Sequence, residues 1–125
     1  MHKKNNFDFL KKIQHRTVSI ENETVKLFRL GIFGNQTTWE LVGFTTGLYR
    51  PHIHDNTGSL FRFVYGKGFI LIENKKIPYS SGTTISVVAG QSHGFEIQEP
   101  TLVLSIQDRA ILDTKTGVID FRFAE

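Results

Sequence analysis

Short runs of β-branched and aromatic residues, separated by glycine-rich turn signals, constrain the fold of this chain most. Each run is too short for a typical helix, and residues of these types favour strands. The runs predict about eleven strands. Twelve such runs lie at residues 18–20, 25–33, 38–45, 48–54, 60–65, 69–73, 77–79, 83–88, 93–97, 102–107, 111–112 and 118–123. Turn signals at 66–68 and 74–76 separate neighbouring strands. The spacing is typical of an antiparallel barrel of jelly-roll type, with at most one short helix near residues Phe7 to Lys12.

The distribution of charge divides the chain into two parts. Its 125 residues suit a single domain, and its net charge is +3. The first 16 residues carry five of the 15 lysines and arginines but one of the 12 acidic residues, so the remainder is close to neutral. We therefore expect a basic leader at 1–16 and one domain at 17–125. A nucleic-acid partner is not expected, because no stripe of basic residues alternates with aromatics in the domain.

The absence of cysteine limits the chemistry available to a metal site. Disulfides and thiolate ligands are excluded, so a metal would be held by imidazole, carboxylate or amide groups. No apolar run approaches the ~20 residues that span a bilayer, and the polar start lacks the apolar centre of a signal peptide. We expect a soluble cytoplasmic protein without a membrane partner.

Two histidines separated by one residue provide the first functional signal. Successive side chains of a strand alternate between its faces, so His52 and His54 point to one side while Ile53 points to the other. Two imidazoles directed at one point are typical of a metal site. The alternative is a pair of surface histidines on an edge strand.

The segment around these histidines resembles the first motif of the cupin superfamily. In that motif a glycine precedes a His-x-His pair, and a second glycine closes it after a short gap. Here Gly47 precedes the pair, His52 lies one position early, and Gly66 closes the motif. The cupin motif also has a glutamate before its final glycine, and Ser59 occupies that position.

A second segment resembles the second cupin motif, which consists of a glycine, a Pro-x-Gly and a histidine. Gly82, Gly90 and His93 have the matching offsets, whereas Val88 replaces the proline. The resemblance implies a cupin-type antiparallel β-barrel, the double-stranded jelly roll. It also implies a centre of His52, His54 and His93 without a carboxylate.

A three-histidine cupin centre implies a divalent transition metal. Neutral imidazoles suit Fe(II), which we expect, as well as Zn, Ni, Mn or Cu, and three protein ligands leave positions open for water or substrate. Cupins that resemble this pattern include thiol dioxygenases and diketone-cleaving dioxygenases. Beyond residue 16 the chain has only three histidines, and all three match ligand positions. The alternative is a cupin that keeps its histidines for packing or for binding a ligand without metal.

Strand alternation assigns further residues to the cavity. Arg50 would share the face of His52 and His54 and bind an anion, unless it reaches solvent at the barrel mouth. Tyr65 would face inwards as a proton donor, although aromatic residues in such positions are mostly core. These two residues are the expected catalytic groups. The expected substrate-binding residues are Arg50, Ser59, Phe61, Phe63, Phe95 and Gln107.

The sequence leaves two classes of function open. One is a metal-dependent enzyme that carries out dioxygenase-like or metal-assisted carbonyl chemistry on a small polar or anionic metabolite. The other is a sensor or carbohydrate-binding module without turnover. Because exposed strand edges of a small barrel favour pairing, we also expect a homodimer, with the N-terminal strand as a candidate contact.

Overall fold

A computed structural model describes residues 15–124 of the chain, and over this range the secondary structure consists of nine β-strands. The strands are β1 (His15–Ile20), β2 (Glu23–Phe33), β3 (Thr37–Phe44), β4 (Gly47–Ile53), β5 (Ser59–Ile72), β6 (Lys75–Tyr79), β7 (Thr84–Val87), β8 (His93–Gln107) and β9 (Arg122–Phe123). Strand β1 already includes His15 and Arg16, the last two residues of the expected leader. The short helix expected near residues 7–12 lies outside the described residues.

All strand pairings are antiparallel, which confirms the all-β prediction. The strand order is β1-β2-β3-β8-β4-β9, and β5 pairs with β6, β7 and β8. The first part of β8 lies between β4 and β5, and its last part lies between β3 and β5. This long strand therefore joins the two layers of a curled barrel.

One of the predicted turns is not a turn in the structure. The 14-residue β5 and the 15-residue β8 each contain two of the predicted strands. The turn predicted at 66–68 is instead an irregular part of β5, where the register against β8 shifts. Gly66 has a φ of 110°, and a Cβ there would lie 2.2 Å from the Thr101 hydroxyl. The glycine thus allows a bulge to pack against β8 rather than a reversal of the chain.

The turn predicted at 74–76 does reverse the chain, because residues 73 and 74 join β5 to β6. The last predicted strand, at 118–123, is reduced to β9. The run at 111–112 contributes only an isolated bridge between Leu112 and Ile119.

The hydrophobic core fills the interior of the barrel. Phe63 is fully buried and stacks on Tyr79 with their ring centroids 3.9 Å apart. The Tyr79 hydroxyl lies 2.7 Å from that of Thr101. Because these residues fill one part of the interior, the cavity occupies the remaining part, beside β4 and the start of β8.

Over residues 15–124, no helix is long and apolar enough to span a membrane.

Candidate metal centre

Three histidines converge on the wall of the interior cavity. His52 lies near the end of β4, His54 follows that strand, and His93 begins β8 directly opposite His52. One ring nitrogen from each lies within 4.8 Å of the others. The ring centroids of His52 and His93 are 4.2 Å apart. The antiparallel pairing of β4 with β8 therefore brings the two sequence motifs together, which confirms the predicted cluster.

Backbone carbonyls fix the orientation of all three rings. The Nδ1 atoms of His54, His93 and His52 lie 2.5, 3.2 and 3.4 Å from the carbonyl oxygens of Asp120, Gln91 and Arg50, respectively. Because a carbonyl can only accept, each Nδ1 carries the hydrogen of a neutral ring and Nε2 keeps a lone pair. Among the described residues, the buried Nε2 of His93 has no hydrogen-bond partner. This arrangement is typical of metal-binding histidines.

The electrostatic environment keeps the rings neutral. Burial, followed by the neighbouring His93 and His54, lowers the pKa of His52 to about 2. Burial and His54 lower the pKa of His93 to about 4, and burial also lowers the pKa of His54. An imidazole must be unprotonated to bind a metal, so all three rings are in the required state at neutral pH.

These residues fit a divalent transition metal. Three neutral nitrogen donors are the protein ligands of several catalytic centres that keep an open position. In the described part of the chain, no carboxylate joins the three histidines. Ser59, at the position of the cupin glutamate, is buried on β5 but does not line the cavity. The structure therefore matches a three-histidine set.

The cavity beside the histidines has a volume of about 130 Å³. Phe61 and Phe95 line it as predicted, and both rings contact His93. Phe121 stacks on His52 with their ring centroids 4.6 Å apart. The surroundings of the histidines are thus largely aromatic.

Arg50 does not line the cavity, so its predicted inward orientation is wrong. A bulge between Tyr49 and His52 interrupts the alternation of β4, and Tyr49 faces the interior instead. The Arg50 Nε donates to Glu23 at 2.8 Å, and the guanidinium lies over the Phe123 ring at 3.8 Å. These contacts with Glu23 and Phe123 hold the Arg50 side chain away from the cavity.

The predicted inward orientation of Tyr65 is also wrong. A register shift lies between Phe63 and Tyr65, so the tyrosine is 38% exposed and does not line the cavity. Phe63 does point inwards, but it packs in the core against Tyr79 instead of forming the cavity wall. For Tyr65, an irregularity of β5 overrides simple alternation. For Phe63, the depth of the residue in the barrel does so.

Sequence reasoning missed a carboxylate in the cavity wall. Glu40 on β3 is 3% exposed, and its Oε2 accepts hydrogen bonds from Arg29. The signal was its parity with Val42 and Phe44, which also line the cavity. Gln107 lines the cavity as predicted and donates to Glu40.

Comparisons with known proteins identify the fold. No family model matches the sequence, and neither does any curated protein. The structure matches an RmlC-like cupin from Shewanella frigidimarina with a TM-score of 0.65 and 17% identity, over 78% of this chain and 86% of that one. The chain has the cupin fold.

Two further structures agree with this cupin fold. A double-stranded β-helix protein from Klebsiella pneumoniae matches with a TM-score of 0.66 and 15% identity, over 98% of this chain and 99% of that one. KdgF from Halomonas sp. matches with a TM-score of 0.64 and 21% identity, over 74% and 86% of the two chains. Identities this low show a shared fold alone, so the activity of this chain must be inferred from its site.

Proposed function

We propose that this cupin is a metal-dependent enzyme acting on a small molecule, with His52, His54 and His93 as the metal ligands. The observation that carries the proposal is that all three rings turn Nδ1 towards a backbone carbonyl, leaving three Nε2 atoms for the metal. Fe(II) is the first choice of metal, followed by Zn, Ni, Mn and Cu. A metal in this position would supply dioxygenase-like chemistry or polarisation of a carbonyl group.

The protein itself would exclude water and orient the substrate. Phe61, Phe95 and Phe121 surround the histidines and leave little room for solvent. Arg50 and Tyr65 are not supported as catalytic groups, because neither lines the cavity. The charged residues that line it are Glu23 and Glu40. Both side chains are ion-paired, Glu23 with Arg50 and Glu40 with Arg29.

Metal analysis of the purified protein tests the proposal. The wild type, reconstituted with Fe(II) or Zn(II), is expected to bind about one equivalent of metal, whereas His93→Ala binds less than about a tenth. His15→Ala is the matched control, because His15 lies on β1 and does not belong to the cluster. A wild type that takes up no metal after reconstitution would contradict the proposal.

The second candidate function is ligand binding without a metal or turnover. It is favoured by Ser59 at the position of the cupin glutamate, since a missing carboxylate weakens metal binding. A binding module would have the same ligand affinity before and after chelation. Loss of ligand binding on chelation, together with recovery on adding metal, would exclude it.

A further inference from the structure

We propose that Glu40, Ser105 and Gln107 form a subsite that binds the hydroxyl group of an otherwise apolar, uncharged ligand. All three residues line the cavity that contains the histidines. The inference rests on the proposed function only in treating this cavity as a small-molecule site. It does not depend on a bound metal.

The side-chain amide of Gln107 is fixed at both ends. Its Nε2 donates to Glu40 Oε1 at 2.9 Å and to Ser105 Oγ at 3.1 Å. Its Oε1 accepts from the backbone NH of Ile111 at 3.0 Å. Both amide hydrogens are therefore used, and the amide holds the other two side chains in place.

The remaining hydrogen-bonding capacity of the subsite includes the hydroxyl donor of Ser105 and a further acceptor position on Glu40 Oε1. Ser105 Oγ accepts from Gln107, and its own hydrogen has no acceptor within residues 15–124. From residues 15–124, Glu40 Oε1 accepts only the Gln107 hydrogen bond, although a carboxylate oxygen can accept two. A neighbouring donor and acceptor complement a hydroxyl group, which can accept from Ser105 and donate to Glu40.

Arg29 compensates the charge of Glu40 from behind the cavity wall. Its Nη2 lies 2.8 Å from Glu40 Oε2 and also donates to the Leu112 carbonyl at 2.8 Å. The ion pair engages Oε2 and leaves Oε1 to Gln107 and the cavity. Glu40 is therefore an ion-paired side chain at 3% exposure, and hydrogen bonds from a ligand to such a group are strong.

The rest of the cavity determines the class of ligand. Aliphatic side chains from β1 and β2 line it, together with the phenylalanines near the histidines. Of the lysines and arginines in residues 15–124, none lines it, so a carboxylate or phosphate would meet Glu40 without a cation facing it. The volume of about 130 Å³ is close to the ~150 Å³ of an engineered cavity that binds benzene. The expected ligand is a single-ring or short-chain alcohol.

Three probes of similar size test the subsite: benzyl alcohol, toluene and benzoate. Their affinities are measured by NMR titration of the full chain, both as purified and after chelation. Chelation removes any metal, so binding of the hydroxyl or carboxylate to a metal does not contribute to the compared affinities. Benzyl alcohol is expected to bind the chelated protein at least as tightly as toluene, although toluene is the more hydrophobic molecule. Benzoate is expected not to bind.

Ser105→Ala removes the free donor. It is expected to weaken benzyl alcohol binding about tenfold and to leave toluene binding unchanged. Ser59→Ala is the matched control, because Ser59 is also buried and its hydroxyl lacks a partner in residues 15–124, yet it does not line the cavity. Ser105→Thr keeps the hydroxyl and is expected to retain most of the alcohol affinity.

The wild type alone also gives a decisive result if Ser105→Ala fails to fold. Nuclear Overhauser contacts from the benzyl alcohol methylene to Ser105 and Glu40 would support the subsite. Contacts to the histidines in place of these residues would overturn it, as would tighter binding of toluene. The metal content is measured separately. If the protein prefers the alcohol but takes up no metal, only the proposal of a metal-dependent enzyme is contradicted. Metal binding without that preference would remove the subsite only.

Discussion

His93 illustrates how one side chain serves both the fold and the site. Its Nδ1 donates to a backbone carbonyl, while its Nε2 is buried without a hydrogen-bond partner among the described residues. An unpaired polar atom in a buried position costs free energy, and a metal bound at this nitrogen would remove that cost. The lowered pKa of the ring is the electrostatic consequence of the same burial.

The metal-free protein is expected to lose stability as the pH falls from about 6.5 towards about 4. The folded-state pKa of His93 lies below its unfolded value of 6.5, so the unfolded chain binds more protons over this range. The contribution of His93 to the free energy of unfolding is fully present above pH 6.5. Protonation of the unfolded chain would remove about 3 kcal/mol from the free energy of unfolding through His93. Denaturant titrations of the chelated protein at several pH values measure the loss, which should be smaller in His93→Gln.

Glu40→Ala is expected to destabilise the protein by about 3 kcal/mol, because it leaves Arg29 partly buried without its ion-pair partner. Glu23→Ala is the matched control, since the partner of Glu23 is the more exposed Arg50. That variant should cost less than about 1 kcal/mol. Equal losses of unfolding free energy in the two variants would contradict a structural role for the inner ion pair.

Strand irregularities determine which side chains reach the cavity. The bulge in β4 turns Arg50 outwards and brings His52 inwards, and the register shifts in β5 turn Tyr65 outwards. Since one extra residue reverses the alternation of a strand, each bulge changes the set of cavity residues downstream. The site is therefore defined by the bulges as much as by the ligand residues.

Gly66→Ala tests the contribution of the β5 irregularity. Its Cβ would lie 2.2 Å from Thr101 Oγ1 and 2.7 Å from Thr101 Cα, at a φ of 110°. We expect a loss of more than about 2 kcal/mol in the free energy of unfolding. Gly82→Ala is the control, because Gly82 has a φ of 90° but no atom within 4 Å of a Cβ. Gly82→Ala is expected to lower the free energy of unfolding by about 1 kcal/mol, which would measure the cost of the positive φ alone.

At the scale of the whole molecule, the sheet formed by residues 15–124 has an open edge and exposed apolar side chains. Strand β1 ends the sheet order over residues 15–124, and Ile32 and Phe33 are each more than half exposed at the end of β2. We propose that a second copy of the chain covers this region, because open edges and apolar patches favour association.

Analytical ultracentrifugation is expected to give the mass of a dimer for the wild type. Ile32→Lys, which introduces a charge into the patch, should shift the equilibrium to the monomer. Val88→Lys is the control, since Val88 is 64% exposed and does not line the surface groove that contains Ile32. A wild type that is monomeric at all concentrations would contradict the dimer.

The sequence by itself determined the all-β fold and the choice of the three histidines as a cluster, because both depend on local patterns. Strand-forming runs and turn residues specify elements from their neighbours in the chain, and the motif around His93 repeats a known spacing. The inward positions of Phe61 and Phe95 were also predictable from alternation, whereas Gln107 was expected in the cavity without a register for its strand. The contact of all three with a ligand stays a prediction.

Only the tertiary structure decided which polar groups reach the cavity. Glu40 is stabilised there by Arg29 and Gln107, which lie on other strands, and no local pattern reports such pairings. Arg50 and Tyr65 were misplaced because a bulge depends on how two strands fit together, not on the composition of either one. The segment from Gly47 to Gly66 therefore supplies two of the three candidate ligands and His93 the third, while long-range pairing determines what surrounds them.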